Sequence, residues 1–382
     1  MKFIAKTFAG LEQATAAELA QIGGNDIQVI KRAVSFSGDM ELLYKANYYC
    51  RTILRIVMPL AEFEFATNEQ FYRSVFDIHF EDYLDKEGSF CVHSVIRESI
   101  FSNSQYTSLL TKDAICDRFR YLYNCRPDVD KDNPDVTIDV HIFRNKATVS
   151  LDTSGISLHR RGYKTTRHNA ALNEVLAAGL IALSGWQCDC NLVDFMCGSG
   201  TILIEAAMKA LNMPSGYYRT EGYGFMTWKN FDEALWQQVR NQLDDAMHEE
   251  WNYKIYGSDI NGRYVKSCRE NVEQLRLDDI IVLSLEAFED IRPEQTPAFV
   301  ISNPPYGERL KIEEINQFYQ SIGDTLKKHY TGCKAGIITP NKQAMKQFGL
   351  HASQKFVVYN AELECCFYLF DIYSGSKKSK YN

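Results

Sequence analysis

Residues 192–211 read LVDFMCGSGTILIEAAMKAL, and their order decides the fold of the C-terminal half. A short apolar run, Leu192 to Phe195, carries an acid at Asp194. A turn holding Gly198 and Gly200 follows, and from Thr201 apolar residues recur at helical spacing to Leu211. A strand that passes through a glycine-bearing turn into a helix is the opening unit of a doubly wound sheet. An alanine- and leucine-rich helix over 172–184 precedes it. After it, strands are expected at 254–258, 280–283, 298–301 and 335–338, with helices at 263–275 and 313–329. A hairpin at 356–359 and 364–372 closes the chain. Parallel strands joined by helices bind ligands beyond their carboxyl ends, so the α/β half is expected to be catalytic.

Four motifs sit at those ends. In the first, Asp194 to Thr201, glycines allow close backbone approach and the helix N-terminus offers free N–H groups. Gly-x-Gly alone also suits a dinucleotide. The full G-x-G-x-x-G fingerprint and the Gly-Lys-Ser/Thr phosphate loop are both absent, so a ligand with a carboxylate and no pyrophosphate fits better. In the second, Gly257-Ser258-Asp259-Ile260, the acid serves ribose hydroxyls or caps the next helix. The third, Glu286-Ala287-Phe288, stands where a side chain meets an adenine, and alone decides nothing. The fourth is Ser302-Asn303-Pro304-Pro305-Tyr306-Gly307-Glu308-Arg309-Leu310, following an apolar strand. Two prolines stop the strand and stiffen the loop. The Asn303 side-chain carbonyl and the Pro304 carbonyl are two acceptors for the hydrogens of one exocyclic amine, and Tyr306 stacks on a flat ring. Such an amine is a poor nucleophile because its lone pair is delocalised. Acceptors set for its pyramidal form favour the transition state, and alignment with an electrophilic methyl supplies the remainder. This chemistry needs neither a metal nor a nucleophilic cysteine.

The N-terminal half alternates differently. Strands at 2–8, 27–30, 33–38 and 53–59 with helices at 11–22 and 40–50 make a small β-α-β-β-α-β unit. Helical segments at 69–78 and 80–84, a strand at 89–95 and a long helix at 104–123 come next. That helix shows Leu109, Leu110, Ile115 and Phe119 as its apolar stripe. A surface loop over 126–134 leads to antiparallel strands at 135–143 and 146–152 around an Arg144-Asn145 turn. Segment 212–252 interrupts the later alternation with Tyr217, Tyr218, Tyr223, Phe225, Trp228, Phe231, Trp236 and Trp251. Aromatics this dense more often pack as a subsidiary core than line a cleft. The tail 374–382 is polar and expected to fray.

At 382 residues two or three domains are expected, and 45% hydrophobic with 24% charged residues is a folded composition. No run approaches the roughly 18 apolar residues of a membrane span, and residues 1–10 hold no apolar stretch of the length expected of a signal peptide. Eleven scattered cysteines without a Cys-x-x-Cys pair read as reduced thiols of a cytoplasmic protein. The net charge of −7 argues mildly against coating nucleic acid. Locally, however, Arg144, Lys146, Arg160, Arg161, Lys164 and Arg167 stand against the single acid Asp152 between His141 and His168. That stretch is either a phosphate-binding stripe or a solvated surface.

In combination, "DFMCGSGT" and "NPPYGERL" resemble the motifs of class I S-adenosylmethionine-dependent methyltransferases that act on exocyclic amines; Asn-Pro-Pro-Tyr also occurs in adenine-N6 enzymes. Residues 158–186, LHRRGYKTTRHNAALNEVLAAGLIALSGW, resemble the junction between THUMP and catalytic domains in the RlmL family of 23S rRNA guanine-N2 methyltransferases. "GFMTW" and "ALW" in the aromatic segment are similar to that family too. The resemblance implies a ferredoxin-like subdomain over 1–60, a THUMP RNA-binding domain over 61–155, and a Rossmann-like methyltransferase domain over 156–382 with an insertion at 212–252. It implies S-adenosyl-L-methionine as cofactor, held by Asp194, Met196, Cys197, Gly198, Ser199, Gly200 and Thr201. Asp259 and Ile260 then meet the ribose and Glu286 and Ala287 the adenine. Asn303, Pro304 and Tyr306 hold the target amine, with Asn303 also bordering the cofactor. Two positions depart from the pattern: Glu286 stands where Asp is common, and Met196-Cys197 where a Pro-x-Cys run is frequent. Lys112, Arg118 and Arg120 on the long helix, with Arg160, Arg161, Lys164 and Arg167, become phosphate contacts while a guanine is swung into the pocket. The longer bifunctional relatives continue into a second methyltransferase where this chain stops, so guanine-N2 activity alone is expected. The alternatives are a tRNA guanine, an adenine N6 amine, or a non-catalytic RNA-binding factor with a residual cofactor fold.

Overall fold

In the computed structural model, which describes residues 1–164, 172–292, 297–307 and 312–373, two sheets carry the chain. Arg167, residues 308–310 of the fourth motif and the polar tail lie outside the described residues. The N-terminal half runs β1 (Lys2–Lys6), α1 (Glu12–Gln21), β2 (Asn25–Ile30), β3 (Ala33–Ser37), α2 (Met40–Tyr49), β4 (Arg55–Glu64), α3 (Asn68–Phe76), β5 (Ser89–Arg97), α4 (Ser104–Tyr123), β6 (Asp128–Val129), β7 (Val136–Phe143) and β8 (Lys146–Asp152). These strands form one eight-stranded sheet in the order β2-β3-β1-β4-β8-β7-β5-β6. β4 belongs to both parts of it: Arg55 to Val57 pair with β1, and Val57 to Glu64 pair with β8. The sequence suggests a strand ending at Pro59, because proline has no N–H for the ladder. The strand instead bulges there, shifts register between Pro59 and Ala61, and continues. The expected boundary at residue 60 therefore lies inside a shared strand. At the β7–β8 turn Arg144 and Asn145 have φ of 49° and 57°, the two-residue hairpin geometry that matches strand twist.

Helix α4 is capped by Asn103, whose side chain accepts from the N–H groups of Gln105 and Tyr106. Its buried face is Thr107, Thr111, Ala114, Ile115 and Phe119. Of the expected apolar stripe, Ile115 and Phe119 are buried and Leu110 packs against the core, whereas Leu109 is 50% exposed and does not belong to it. Small residues let the helix lie close on β5, where Ser108 Oγ donates to Ser94 Oγ at 2.9 Å.

The C-terminal half runs α5 (Glu174–Ser184), β9 (Asn191–Asp194), α6 (Thr201–Ala210), α7 (Glu233–Asp245), β10 (Ile255–Ser258), α8 (Gly262–Gln274), β11 (Ile281–Ser284), β12 (Ala298–Ser302), α9 (Ile312–His329), β13 (Lys334–Thr339), β14 (Gln354–Asn360) and β15 (Leu363–Asp371). Its sheet has the order β11-β10-β9-β12-β13-β15-β14. Strands β11 to β13 in that order are parallel, and the last hairpin is antiparallel. The order reverses about β9, with β10 on one side and β12 on the other. That crevice is the switch point at which such sheets take their ligands. β9 and β12 are buried along their whole length.

The aromatic insertion packs as core, and it does so against the other half. Tyr223, Phe225, Trp228 and Trp236 are buried in the N-terminal cluster with Tyr44 and Tyr48. Trp236 meets Tyr44 edge-on at 6.0 Å and Tyr48 at 5.5 Å between ring centroids. The eleven cysteines are all free thiols. Among the described residues no helix is long and apolar enough to cross a membrane.

Candidate active site

Asp194 closes β9 with its carboxylate inside the protein. Its Oδ1 accepts from Ser302 Oγ at 2.7 Å and from the Met196 N–H at 3.2 Å. Burial disfavours the anion and pushes this carboxyl up to about 7; the two hydrogen bonds pull the other way and nearby Asp259 adds to the rise. The acid of the first motif and the strand that delivers the fourth are thus joined by one bond. In the glycine loop, the Cys197 N–H donates to the Ser258 carbonyl at 2.9 Å and the Gly198 N–H to Asp259 Oδ2 at 3.1 Å. Gly200 has φ of 84°, and a Cβ there would lie 2.3 Å from Cys268 Sγ, so only glycine fits. At Gly198 a Cβ would meet nothing within 4 Å, so the loop presents an open face. Ser199 is held from behind by Asn271, whose Nδ2 donates to its carbonyl at 3.3 Å, and Thr201 is buried at the start of α6.

The cap of α8 is Asn261, whose side chain accepts from the Arg263 N–H at 3.0 Å. Asp259 is thereby released from the capping role; Oδ1 takes the Asn261 N–H at 2.8 Å, and each oxygen keeps a second lone pair. Past the ends of β10 and β11, Ile260 is 79% exposed and Leu285 60% exposed. Apolar side chains left open at adjacent strand ends suit the two faces of a flat ring. Leu285 belongs to none of the four motifs; its only signal in the sequence is an apolar residue directly after a strand end. Glu286 is exposed, Ala287 half-buried, and Phe288 buried against Phe195 and Phe318.

In the fourth motif, Asn303 Oδ1 is buried and has no hydrogen-bond partner among the described residues. An acceptor held out of water without a donor costs roughly 1–3 kcal/mol, which a ligand N–H would recover. Pro304 is buried, Pro305 exposed and Tyr306 half-buried. The Tyr306 hydroxyl accepts from Asn360 Nδ2 at 3.3 Å, and burial pushes this phenol well above its usual range. The Tyr319 hydroxyl lies 3.3 Å from the Pro305 carbonyl and 2.7 Å from Thr339 Oγ1. Gly307 has φ of 88°, and a Cβ there would meet Ile315 Cγ1 at 2.7 Å. Neither Tyr319 nor Asn360 was legible as a site residue. Both arrive through packing of α9 and the β14 end, and neither belongs to a local motif.

The basic stripe divides in two. Arg118 is buried, donating to both Glu81 oxygens and to the Phe76 carbonyl. Arg161 is buried with Glu205 at 3.3 Å, and also donates to the carbonyls of Leu158 and Arg51. Both guanidinium groups are committed inside the protein, which corrects their expected place on a phosphate-facing surface. Lys112 pairs with Asp113, Arg120 with Asp117, and Lys164 with Glu174 at 2.9 Å. The Lys112 and Arg120 pairs reach the surface and are weak and exchangeable for phosphate, whereas Lys164 is mostly covered and also donates to the Leu172 carbonyl at 3.0 Å. Arg160 is exposed with no ion pair among the described residues. A cleft of about 1150 Å³ between the first sheet and the junction is lined by Lys6, Arg55, Arg160, Lys164 and Asn360. It therefore opens beside the partner of Tyr306. Among the described residues no group of three or more His, Cys, Asp or Glu side chains is arranged to hold a metal ion.

A doubly wound sheet with an open glycine loop, an acid after the second strand and a buried Asn-Pro-Pro-Tyr acceptor without a partner among the described residues defines a class I S-adenosylmethionine-dependent methyltransferase. Family models match in the same chain order: the RlmL ferredoxin-like domain over residues 2–57, the THUMP domain over 65–152, and the RMKL-like methyltransferase domain over 161–368. The chain is 34% identical to a putative RNA methyltransferase of Synechocystis sp. over 97% of each chain. It is 33% identical to the ribosomal RNA large subunit methyltransferase K/L of Shewanella frigidimarina, covering 98% of this chain and 53% of that protein. It thus spans about half the length of the K/L relatives. The crystal structure of a putative methyltransferase complexed with SAH is 31% identical, with a TM-score of 0.90 over 98% of this chain and 99% of that one. The chain belongs to the RMKL-like methyltransferase family, and its cofactor is S-adenosylmethionine.

Proposed function

We propose that the chain methylates the exocyclic N2 amine of a guanine in 23S rRNA, in the reducing interior of the cell where its free thiols persist. The observation that carries the amine chemistry is the buried Asn303 Oδ1 beside Pro304, which has no hydrogen-bond partner among the described residues. The THUMP match and the rRNA methyltransferase names of the K/L relatives support RNA as the substrate. The junction 158–186 supports guanine.

S-adenosylmethionine, when bound, supplies an electrophilic methyl group. Loop residues 196–201 surround its carboxylate end. The Met196, Cys197, Gly198 and Gly200 N–H groups hold the loop itself, so Ser199 and Thr201 offer theirs to the carboxylate. Asp259 accepts from ribose hydroxyls, and Ile260, Glu286 and Ala287 border the adenine. Asn303 Oδ1 and the Pro304 carbonyl accept the two hydrogens of the target amine. As the nitrogen becomes pyramidal its lone pair leaves the ring system, and these two bonds strengthen. Tyr306 holds the ring of the flipped base. Unstacking the guanine is needed because a paired N2 amine is inaccessible. Lys112, Arg120, Arg160 and Lys164 steady the flanking phosphates, with Arg167 of the same junction.

Mass spectrometry of nucleosides from a deletion strain tests the substrate. Loss of N2-methylguanosine from 23S rRNA is expected; loss from tRNA alone would move the activity to tRNA, and an unchanged pattern in both would sink the reading. Asn303→Ala is expected to lower turnover at least a hundredfold while S-adenosylhomocysteine affinity stays within about twofold. Retained turnover would contradict the role given to Asn303.

A further inference from the structure

Two prolines are commonly credited with holding a loop rigid, yet they do not fix every torsion of this one. Proline locks its own φ, so φ is set at Pro304 and Pro305. A residue before proline is kept out of the helical region, so ψ is restricted at Asn303 and Pro304. One torsion of the pair is left to the surroundings: ψ of Pro305, which aims its carbonyl and sets where Tyr306 lies relative to the Pro304 carbonyl. That carbonyl is the one the fold takes hold of.

Tyr319 and Thr339 are both 0% exposed. The Tyr319 hydroxyl has two neighbours, the Pro305 carbonyl at 3.3 Å and Thr339 Oγ1 at 2.7 Å. A carbonyl only accepts, so the single Tyr319 proton goes to Pro305. Thr339 must then donate to the Tyr319 oxygen, and its own oxygen accepts the Asn341 N–H at 3.1 Å. The bonds run in one direction, from the backbone past the end of β13, through two buried hydroxyls, into the loop. α9 also packs Ile315 against Gly307 on the far side of Tyr306.

We propose that Tyr319 is a positioning residue for methyl transfer: its hydroxyl fixes ψ of Pro305 and so holds Tyr306 and the Pro304 carbonyl in register about one amine. The inference rests on the loop being the amine site. It distinguishes two hydroxyls that a purely structural pair would make equivalent. Tyr319→Phe removes the bond to Pro305. Thr339→Val removes the donor behind it and the acceptor of the Asn341 N–H, and Tyr319 still reaches the carbonyl.

The full chain is assayed on a protein-free 23S rRNA transcript with labelled S-adenosylmethionine. Tyr319→Phe is expected to lower kcat roughly tenfold or more, with RNA KM and S-adenosylhomocysteine affinity within about twofold. Thr339→Val is expected to stay within about threefold of the parent in kcat. Hydrogen exchange, measured without RNA, should be at least about fivefold faster at the Tyr306 and Gly307 amides in Tyr319→Phe. Equal losses of kcat in both variants would overturn the proposal, since the pair would then be structural. So would unchanged kcat in Tyr319→Phe beside an inactive Asn303→Ala, or unchanged exchange. If Asn303→Ala turns over normally, the amine-site reading falls instead, and the exchange comparison alone decides whether Tyr319 holds the loop.

Discussion

Asp194 is 1% exposed, and its environment works against its charge. A carboxyl held near 7 in the native chain and near 3.9 when unfolded keeps its proton in the native state while the unfolded state releases it. Between those values the native state binds more protons, so stability falls as pH rises from about 4 to about 7. A gap of about three pH units corresponds to at most roughly 4 kcal/mol. Carboxylates held low act oppositely, among them Glu62 beside Lys146 and Lys2. Only a difference between two chains isolates Asp194. Asp194→Asn is expected to gain stability relative to the parent progressively from pH 4.5 to 7.5, read from urea unfolding midpoints at each pH. A flat difference would mean that the buried carboxyl is ionised throughout. The acid was legible in the sequence as a strand end. Its burial was not, because that depends on Ser302, 108 positions away.

Elements were most legible where local chemistry fixed their ends. The expected bounds of 104–123 for α4 match the helix, since Asn103 caps it and Asn124 takes the left-handed conformation that ends it. Of its expected apolar stripe, Ile115 and Phe119 are buried and Leu110 packs against the core; Leu109 alone faces out, because a close fit to β5 favours threonine and alanine there. The expected strand 53–59 stops short of the end of β4 at Glu64, since a bulge has no local signature other than the proline that causes it. The insertion shows its aromatics plainly but not their destination, because Tyr44 and Tyr48 lie far back in the chain. Removing Trp236 opens a hole between α7 and α2. Trp236→Ala is expected to cost about 3–5 kcal/mol in denaturant unfolding. A Trp236 and Tyr44 double-mutant cycle should return a coupling of roughly 0.5–1.5 kcal/mol. Additive losses would show that the two rings share a core without interacting.

At the scale of the molecule, two adjacent arginines separate the forces that join the halves from those that meet a substrate. Arg161 reaches from the junction to Glu205 on α6 and to the Arg51 carbonyl of the first half, while Tyr163 donates to the same Glu205 oxygen at 2.9 Å. Arg160 points outward beside the cleft. Composition could not tell them apart, since burial of one cation in a pair depends on a carboxylate 44 positions later. Removing one partner of a buried pair leaves an uncompensated charge, so Arg161→Ala is expected to cost about 3–5 kcal/mol in unfolding free energy. Deleting Glu205 as well should cost less than the sum of the single losses, because the stranded carboxylate is then gone. Arg160→Ala should leave unfolding within about 0.5 kcal/mol of the parent. It should weaken binding of an rRNA fragment and reduce the slope of log affinity against log salt by about 1. Were Arg161→Ala to fold with parental stability and lose the RNA slope instead, the guanidinium would have to leave Glu205 on binding, and the junction would be a moving part instead of a fixed one.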